Sequence, residues 1–230
     1  AEAAGRLPHG YLQSELAPRR EGGDHRVTVT VTSCGRLELL HKTLLSFFAA
    51  NDYEDIDEVI IIEDSGDAEV CHQVRRRYLG VAGPDVKMRV VKMRVLCNEH
   101  QLGQMRSLDR VFAHVKTPWI FHLEDDWIFD GTASFIQDSL DILLDNALCF
   151  QLWDWASVGH KSWQGFSMGP GLRRANLVRA LGPMESYGSE LLVQAAFQSY
   201  GLWAAGLEHG VMDHAGDHNS KRHQWESKVV

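Results

Sequence analysis

The sequence predicts an α/β protein built on a mostly parallel central sheet with helices on both faces. Three observations carry this expectation. Short β-branched or apolar runs alternate with stretches whose apolar residues recur at helical spacing, and several of the apolar runs stop abruptly on polar or acidic residues. The chain has 230 residues, 44% hydrophobic and 23% charged, an ordinary globular composition with enough length for a substantial buried core. Strands alternating with helices join most easily as parallel neighbours.

Residues 1–25 mix Gly, Pro, Arg and Glu without period and read as an irregular lead-in. Residues 26–230 read as one domain. Val27 to Thr32 is a β-branched strand ending in the turn-forming Ser33-Cys34-Gly35. Leu37, Leu40, Leu44, Leu45 and Phe48 then recur at helical spacing through Ala50. Glu58 to Ile62 is a short apolar strand closing on Glu63-Asp64. A helix is predicted from about Asp67 to Leu79, a strand from about Arg89 to Cys97, a helix from Gly103 to about Val115, and a strand from Trp119 to Leu123 closing on Glu124. Beyond these, Phe135 to Leu144 reads as a helix, Leu148 to Trp153 as a strand and Ser189 to Tyr200 as a helix. The tandem Val86-Lys-Met-Arg-Val90 and Val91-Lys-Met-Arg-Val95 is too short for a solenoid repeat. One copy is expected to be the strand and the other to extend what precedes it.

In open parallel sheets ligands bind outside the carboxyl ends of the strands. Four such ends carry polar residues: Thr32 to Arg36, Glu63 to Ser65, Asn98 to Gln101 and Glu124 to Trp127. Twenty-three Lys and Arg against 31 Asp and Glu give a net charge of −8, which argues against a general nucleic-acid binder. The widely spaced Cys34, Cys71, Cys97 and Cys149 form no CxxC pair and are expected to be reduced thiols of a cytoplasmic protein. No apolar run approaches the ~18 residues of a membrane span.

Phe121-His-Leu-Glu-Asp-Asp-Trp127 places Glu124, Asp125 and Asp126 together at a strand end. Like charges remain ionised side by side only when something positive joins them, and a hard divalent cation, Mn2+ or Mg2+, is the simplest answer. The alternative is a solvated acidic loop or a helix cap by Asp126 or Asp130. Here the sequence resembles the DxD signature of GT-A fold glycosyltransferases in the variant form Glu-Asp-Asp, with surroundings similar to glycosyltransferase family 2 from about Arg26 to Ser220. Val29 to Arg36 resembles the family's first strand and nucleotide loop, with Ser33-Cys34-Gly35-Arg36 where the family has Pro and Tyr-Asn. Ile60 to Ser65 resembles its second strand and acidic end, and Asn98 to Gly103 with Arg106 and Asp109 resembles its next conserved-pattern segment.

The resemblance implies a Rossmann-like GT-A fold in which 26–127 is the half that binds a nucleotide-sugar and 128–230 the half that binds the acceptor. It implies donor contacts from Thr32, Ser33, Arg36, Glu63, Asp64, Gln101, Gly103, Arg106, Glu124 and Asp125, and metal ligation by Asp126. Leu181-Gly182-Pro183 followed by Glu190 resembles the turn and carboxylate with which inverting members deprotonate the acceptor, so Glu190 is the expected base and Glu185 and Asp154 its reserves. His209, His214, His218 and His223 enrich the C-terminal end in imidazole. Met212 to Gly216 resembles the His-x-Gly element that gives GT-A enzymes a further metal or phosphate contact, which selects His214.

Trp153, Asp154, Trp155 and Trp163 form an aromatic stretch suited to stacking on a sugar or aromatic acceptor, with burial in a core as the equal alternative. The expected activity is therefore transfer of a sugar, UDP-linked as first choice, to an acceptor hydroxyl by a hexosyltransferase-type enzyme, inverting if Glu190 is the base. The rivals are a sugar-phosphate nucleotidyltransferase, for which only Gly35-Arg36 answers the usual Gly-rich loop, and a non-catalytic carbohydrate- or nucleotide-binding module.

Overall fold

β1 (Val27–Ser33) lies inside the sheet because its alternation of Val and Thr presents a side chain of fitting size to both layers: Val27, Val29 and Val31 to one, Thr28 and Thr30 to the other, all fully buried. In the computed structural model, residues 24–51, 54, 56–79, 91–129, 135–146, 149–154, 166–207 and 212–216 are described. After β1 come α1 (Leu37–Ala50), β2 (Ile56–Glu63), α2 (Ala68–Leu79), β3 (Lys92–Cys97), α3 (Gln104–Phe112), β4 (Trp119–Glu124) and β5 (Trp127–Phe129). The second half holds α4 (Phe135–Asp145), β6 (Cys149–Asp154), β7 (Gly171–Arg174), α5 (Ala175–Leu181), a 3-10 turn (Met184–Tyr187), α6 (Glu190–Ser199), β8 (Trp203–Leu207) and β9 (Met212–His214).

Among these, seven strands form one sheet in the order β3-β2-β1-β4-β7-β6-β8, and β5 pairs with β9 in a separate ribbon. β3, β2, β1 and β4 are parallel, β7 is antiparallel to both β4 and β6, and β8 is parallel to β6. The predicted mostly parallel α/β sheet is thus the observed fold. Its helices divide between the two faces. Leu40, Leu44, Phe47 and Phe48 of α1, Val74 and Tyr78 of α2 and Phe135 to Leu143 of α4 share a core with Val29, Val31 and Phe121. Leu108 and Val111 of α3, Leu177 of α5 and Val193 and Phe197 of α6 share the other with Ile60, Ile62 and Ile120.

One expectation needs correction and two need trimming. The four cysteines are not all thiols: Cys71 of α2 and Cys97 at the end of β3 are disulfide-bonded. β7, a strand of four residues whose hydrogen-bonding partners lie far away in sequence, leads directly into α5. The helix predicted to run to Val115 ends at Phe112, and β3 begins at Lys92 within the second copy of the tandem. The first copy lies outside the described residues. No helix among the described residues is long and apolar enough to cross a membrane.

Candidate functional site

The four parallel strands deliver their carboxyl ends to one edge. Ser33 pairs in register with Glu63, Glu63 with Cys97, and Thr32 with Glu124, so the polar strand ends picked out by sequence converge. Chain order reverses between β1 and β4, the switch point at which such sheets open a crevice.

On the β2 side the carboxylates are tied to the chain's own loops. Glu63 Oε1 accepts the Gly35 N–H at 2.8 Å and the Ser65 N–H at 2.9 Å. Asp64 Oδ1 accepts from Asn98 Nδ2 at 2.6 Å and the Leu102 N–H at 2.8 Å, and Oδ2 accepts the Gly103 N–H at 2.8 Å. Asn98 also donates to Ser107 Oγ at 3.0 Å and accepts from Arg110. Gln101 Nε2 reaches Cys34 Sγ at 3.4 Å, bridging the loops after β3 and β1. Arg106 is exposed and paired with Glu185 on the 3-10 turn, which also anchors to α3 through the Met184 and Glu185 N–H groups and the Asp109 carboxylate at 2.6 and 3.0 Å.

On the β4 side the three neighbouring carboxylates point to three different environments. Glu124 accepts from Gln104 Nε2 at 2.6 Å and Trp127 Nε1 at 3.0 Å. Burial first, and then the charge of Asp126, raises its pKa against the help of Trp127. Asp125 is fully buried and gripped by Arg36, through Nη2 and through Nε at 3.2 Å, yet burial still lifts its pKa to about 6. Asp126 Oδ2 takes Arg36 Nη1 at 2.7 Å and stands 3.4 Å from His214 Nε2, while Oδ1 is buried without a partner. Burial raises its pKa, but His214 and Arg36 outweigh burial and leave it lowered.

β5 and β9 exist to bring His214 here. Trp127 pairs with His214 across the ribbon, their rings 4.7 Å apart, and the Ala215 N–H donates to the Asp126 carbonyl at 2.8 Å. Gly216 completes the fit, since a Cβ on it would sit 2.1 Å from Asp126 Oδ2. Asp126 is followed by β5, so it does not cap a helix. Among the described residues no three His, Cys, Asp or Glu side chains group as a preformed metal cage.

Glu190 opens α6, with Ser189 as its N-cap, and its Oε1 accepts the Met168 N–H at 2.7 Å. The neighbouring Gly169 packs beneath the β4 end: a Cβ there would lie 3.7 Å from the Trp127 ring and 3.9 Å from Glu124 Oε2. The loop before β7 therefore links Glu190 to the Glu124 side. Trp153 and Asp154 close β6, paired in register with Gly171 and Leu207 respectively, and Trp155 and Trp163 lie outside the described residues.

Sequence reasoning passed over Gln104, Trp127 as a partner of His214, and Arg173. Only Trp127 carried a signal, as an aromatic directly beside the acidic cluster. The others are recognised by contacts between distant segments.

A mostly parallel sheet in this strand order, with polar carboxyl ends and an accessory ribbon, defines a GT-A-type α/β fold, the architecture of known glycosyltransferases. Among solved structures the chain is similar to the mannosyltransferase PcManGT from Pyrobaculum calidifontis in complex with GDP-Man and Mn2+, with TM-score 0.68 and 14% identity over 94% of this chain and 66% of that one. It is also similar to residues 1–349 of TarS from S. aureus, with TM-score 0.58 and 11% identity over 83% of this chain and 60% of that one. The chain thus spans less than two thirds of the length of either. No protein-family model and no curated protein matches the sequence.

Proposed function

We infer that the chain is a divalent-metal-dependent glycosyltransferase that moves a sugar from a nucleoside-diphosphate sugar to an acceptor hydroxyl. The observation that carries this reading is the Asp126 carboxylate at the switch-point edge, with one oxygen shared between Arg36 and His214 and the other buried and unpartnered. The donor set fits Mn2+ or Mg2+. Asp126 and His214, with a carboxylate oxygen and an imidazole nitrogen 3.4 Å apart, would hold the ion. With only two protein groups, it would rely on the phosphate oxygens of the donor as well.

Bound there, the ion supplies Lewis-acid neutralisation of the departing diphosphate. The chain's own residues do the rest. Arg36, already charged against Asp125 and Asp126, donates charge-assisted hydrogen bonds to the same diphosphate. Thr32, Ser33, Glu63, Asp64, Gln101, Gly103, Arg106, Glu124 and Asp125 shape the donor side, several of them by holding loops. Glu190 takes the proton of the incoming hydroxyl, so a single displacement inverts the anomeric carbon. Trp153, Asp154, Trp155 and Trp163 are the proposed acceptor contacts, in a hexosyltransferase-type reaction.

Uridine diphosphate is the first nucleotide to test, and guanosine diphosphate, borne by the donor in the Pyrobaculum calidifontis complex, is the second. The expectation of a cytoplasmic protein leaned on reduced thiols. The Cys71–Cys97 bond removes that support and favours an oxidising compartment. The test is a thermal-shift series of both nucleotides with and without Mn2+, followed by release of nucleoside diphosphate from the sugar donor. Asp126→Ala should lose the metal-dependent shift. Glu190→Gln should keep it and lose about 10²-fold or more in turnover. Unchanged binding and turnover in both variants would overturn the reading.

A further inference from the structure

Arg173 is an arginine where stability alone would not call for one. It is 1% exposed, in the centre of β7 on the face shared with α3, α5 and α6. Its Nε and Nη1 are buried without acceptors, and its guanidinium carbon lies over the Phe166 ring, 5.7 Å from the centroid. An apolar side chain of similar volume would fold there at less cost in desolvation and unmade hydrogen bonds. The reason for a cation at this position must therefore lie in what its charge does.

Its one bonded nitrogen points to the answer. Nη2 donates to the Ser167 carbonyl at 2.6 Å and to the Gly169 carbonyl at 2.9 Å. The N–H of the same Ser167–Met168 peptide donates to Glu190 Oε1 at 2.7 Å. A single amide is thus held between a guanidinium on its carbonyl and a carboxylate on its N–H. A cation on the carbonyl draws electron density through the amide and makes the N–H a stronger donor, and hydrogen bonds in such a chain reinforce one another.

We propose that Arg173 is the positioning residue for Glu190, acting through the Ser167–Met168 peptide to aim the Glu190 carboxylate. This rests on the reading of Glu190 as the proton acceptor, and Arg173 itself touches no reacting atom. The charged and titratable groups around the guanidinium are Glu190 from α6 and Glu124 and His122 from β4. Burial lowers the Arg173 pKa to about 9, and Glu190 and Glu124 push back against that fall. His122, sealed in the core with Thr30 Oγ1 at 3.0 Å from Nδ1, is held well below its ordinary range by burial and then by Arg173, and stays neutral.

The experiment uses the whole chain with Arg173→Met and Arg173→Lys, each alone and combined with Glu190→Gln. Transfer kinetics should give a kcat about tenfold or more lower in Arg173→Met, with the donor KM within about twofold, and partial recovery in Arg173→Lys. In the Glu190→Gln background Arg173→Met should cost nothing further. Equal losses in both backgrounds would mean a merely structural arginine and would overturn the proposal.

A second readout needs no turnover. The Met168 amide proton resonance, displaced downfield by its hydrogen bond to the Glu190 carboxylate, should move upfield in Glu190→Gln and also in Arg173→Met. A resonance unmoved in Arg173→Met would overturn the proposal. The expected amide displacements from a wild type that transfers no sugar would uphold the coupling and sink the glycosyl-transfer reading instead. If Arg173→Met does not fold, Arg173→Lys carries the same measurements, with smaller displacements in the same directions.

Discussion

The carboxylates after β2 and those after β4 stand at the same edge of the sheet, one strand apart, and do opposite things. Asp64 has both oxygens engaged by the loop that follows β3, so its charge is consumed in shaping the chain. Asp126 faces a guanidinium and an imidazole from two remote segments and keeps one buried oxygen unengaged. Acidity at a strand end is therefore not itself a sign of ligand chemistry. What separates the two is whether local backbone N–H groups have already used the acceptors.

Variants can break that comparison. Asp126→Ala should give the largest functional effect, complete loss of the Mn2+-dependent thermal shift with nucleoside diphosphate. Asp64→Ala should instead cost about 3 kcal/mol or more in urea unfolding, because two N–H groups and the Asn98 amide lose their acceptor together. If Asp64→Ala spares stability and abolishes binding, the division of labour is reversed. Cys71→Ser with Cys97→Ser opens a loop with a sequence separation of 26, and chain entropy puts the loss at about 3.5 kcal/mol, read as a lower midpoint in oxidising buffer. Gly216→Ala should cost roughly 1–3 kcal/mol and weaken the metal-dependent shift, since the new methyl must displace Asp126.

The smallest effect expected is one of pH. Asp125 holds its proton up to about 6, above the ordinary 3.8, so its contribution to stability is full below the lower value and is lost as pH rises through the higher. Asp126 has the opposite sign, its contribution being present above 3.8 and lost as pH falls through its depressed value. Asp125→Asn should flatten the fall in stability between about pH 4 and pH 6, measured by urea midpoints in chelator. An unaltered slope would assign that fall to other groups.

Elements whose stability is local were legible. The Val-Thr alternation of β1, the Leu and Phe spacing of α1 and the apolar run of β2 each state their period within one segment, and their observed bounds follow it closely. What depends on distant partners was not. β5 and β9 have three residues each, too few for any period, and form only by pairing with one another. The Cys71–Cys97 bond gives no spacing cue, because a helix and a strand bring together residues that look isolated in the chain. Gly216 was legible only as the glycine of the His-x-Gly resemblance, and not as the missing side chain that makes room for a carboxylate.

β7 shows what a single reversed strand contributes. A parallel strand can present only its final residues at the carboxyl edge, but one running the other way begins there, so the backbone entering it arrives at the crevice before it enters the sheet. Its pleat then sends the twin arginines apart. Arg173 secures the entry loop in one layer. In the other, Arg174 lies 4.9 Å from the Trp119 ring and donates to the Cys149 carbonyl at 3.0 Å and to that of Leu143, fastening the far end of α4. The dipeptide behaves as a rivet through the sheet, with one head beside the chemistry and the other in the scaffold.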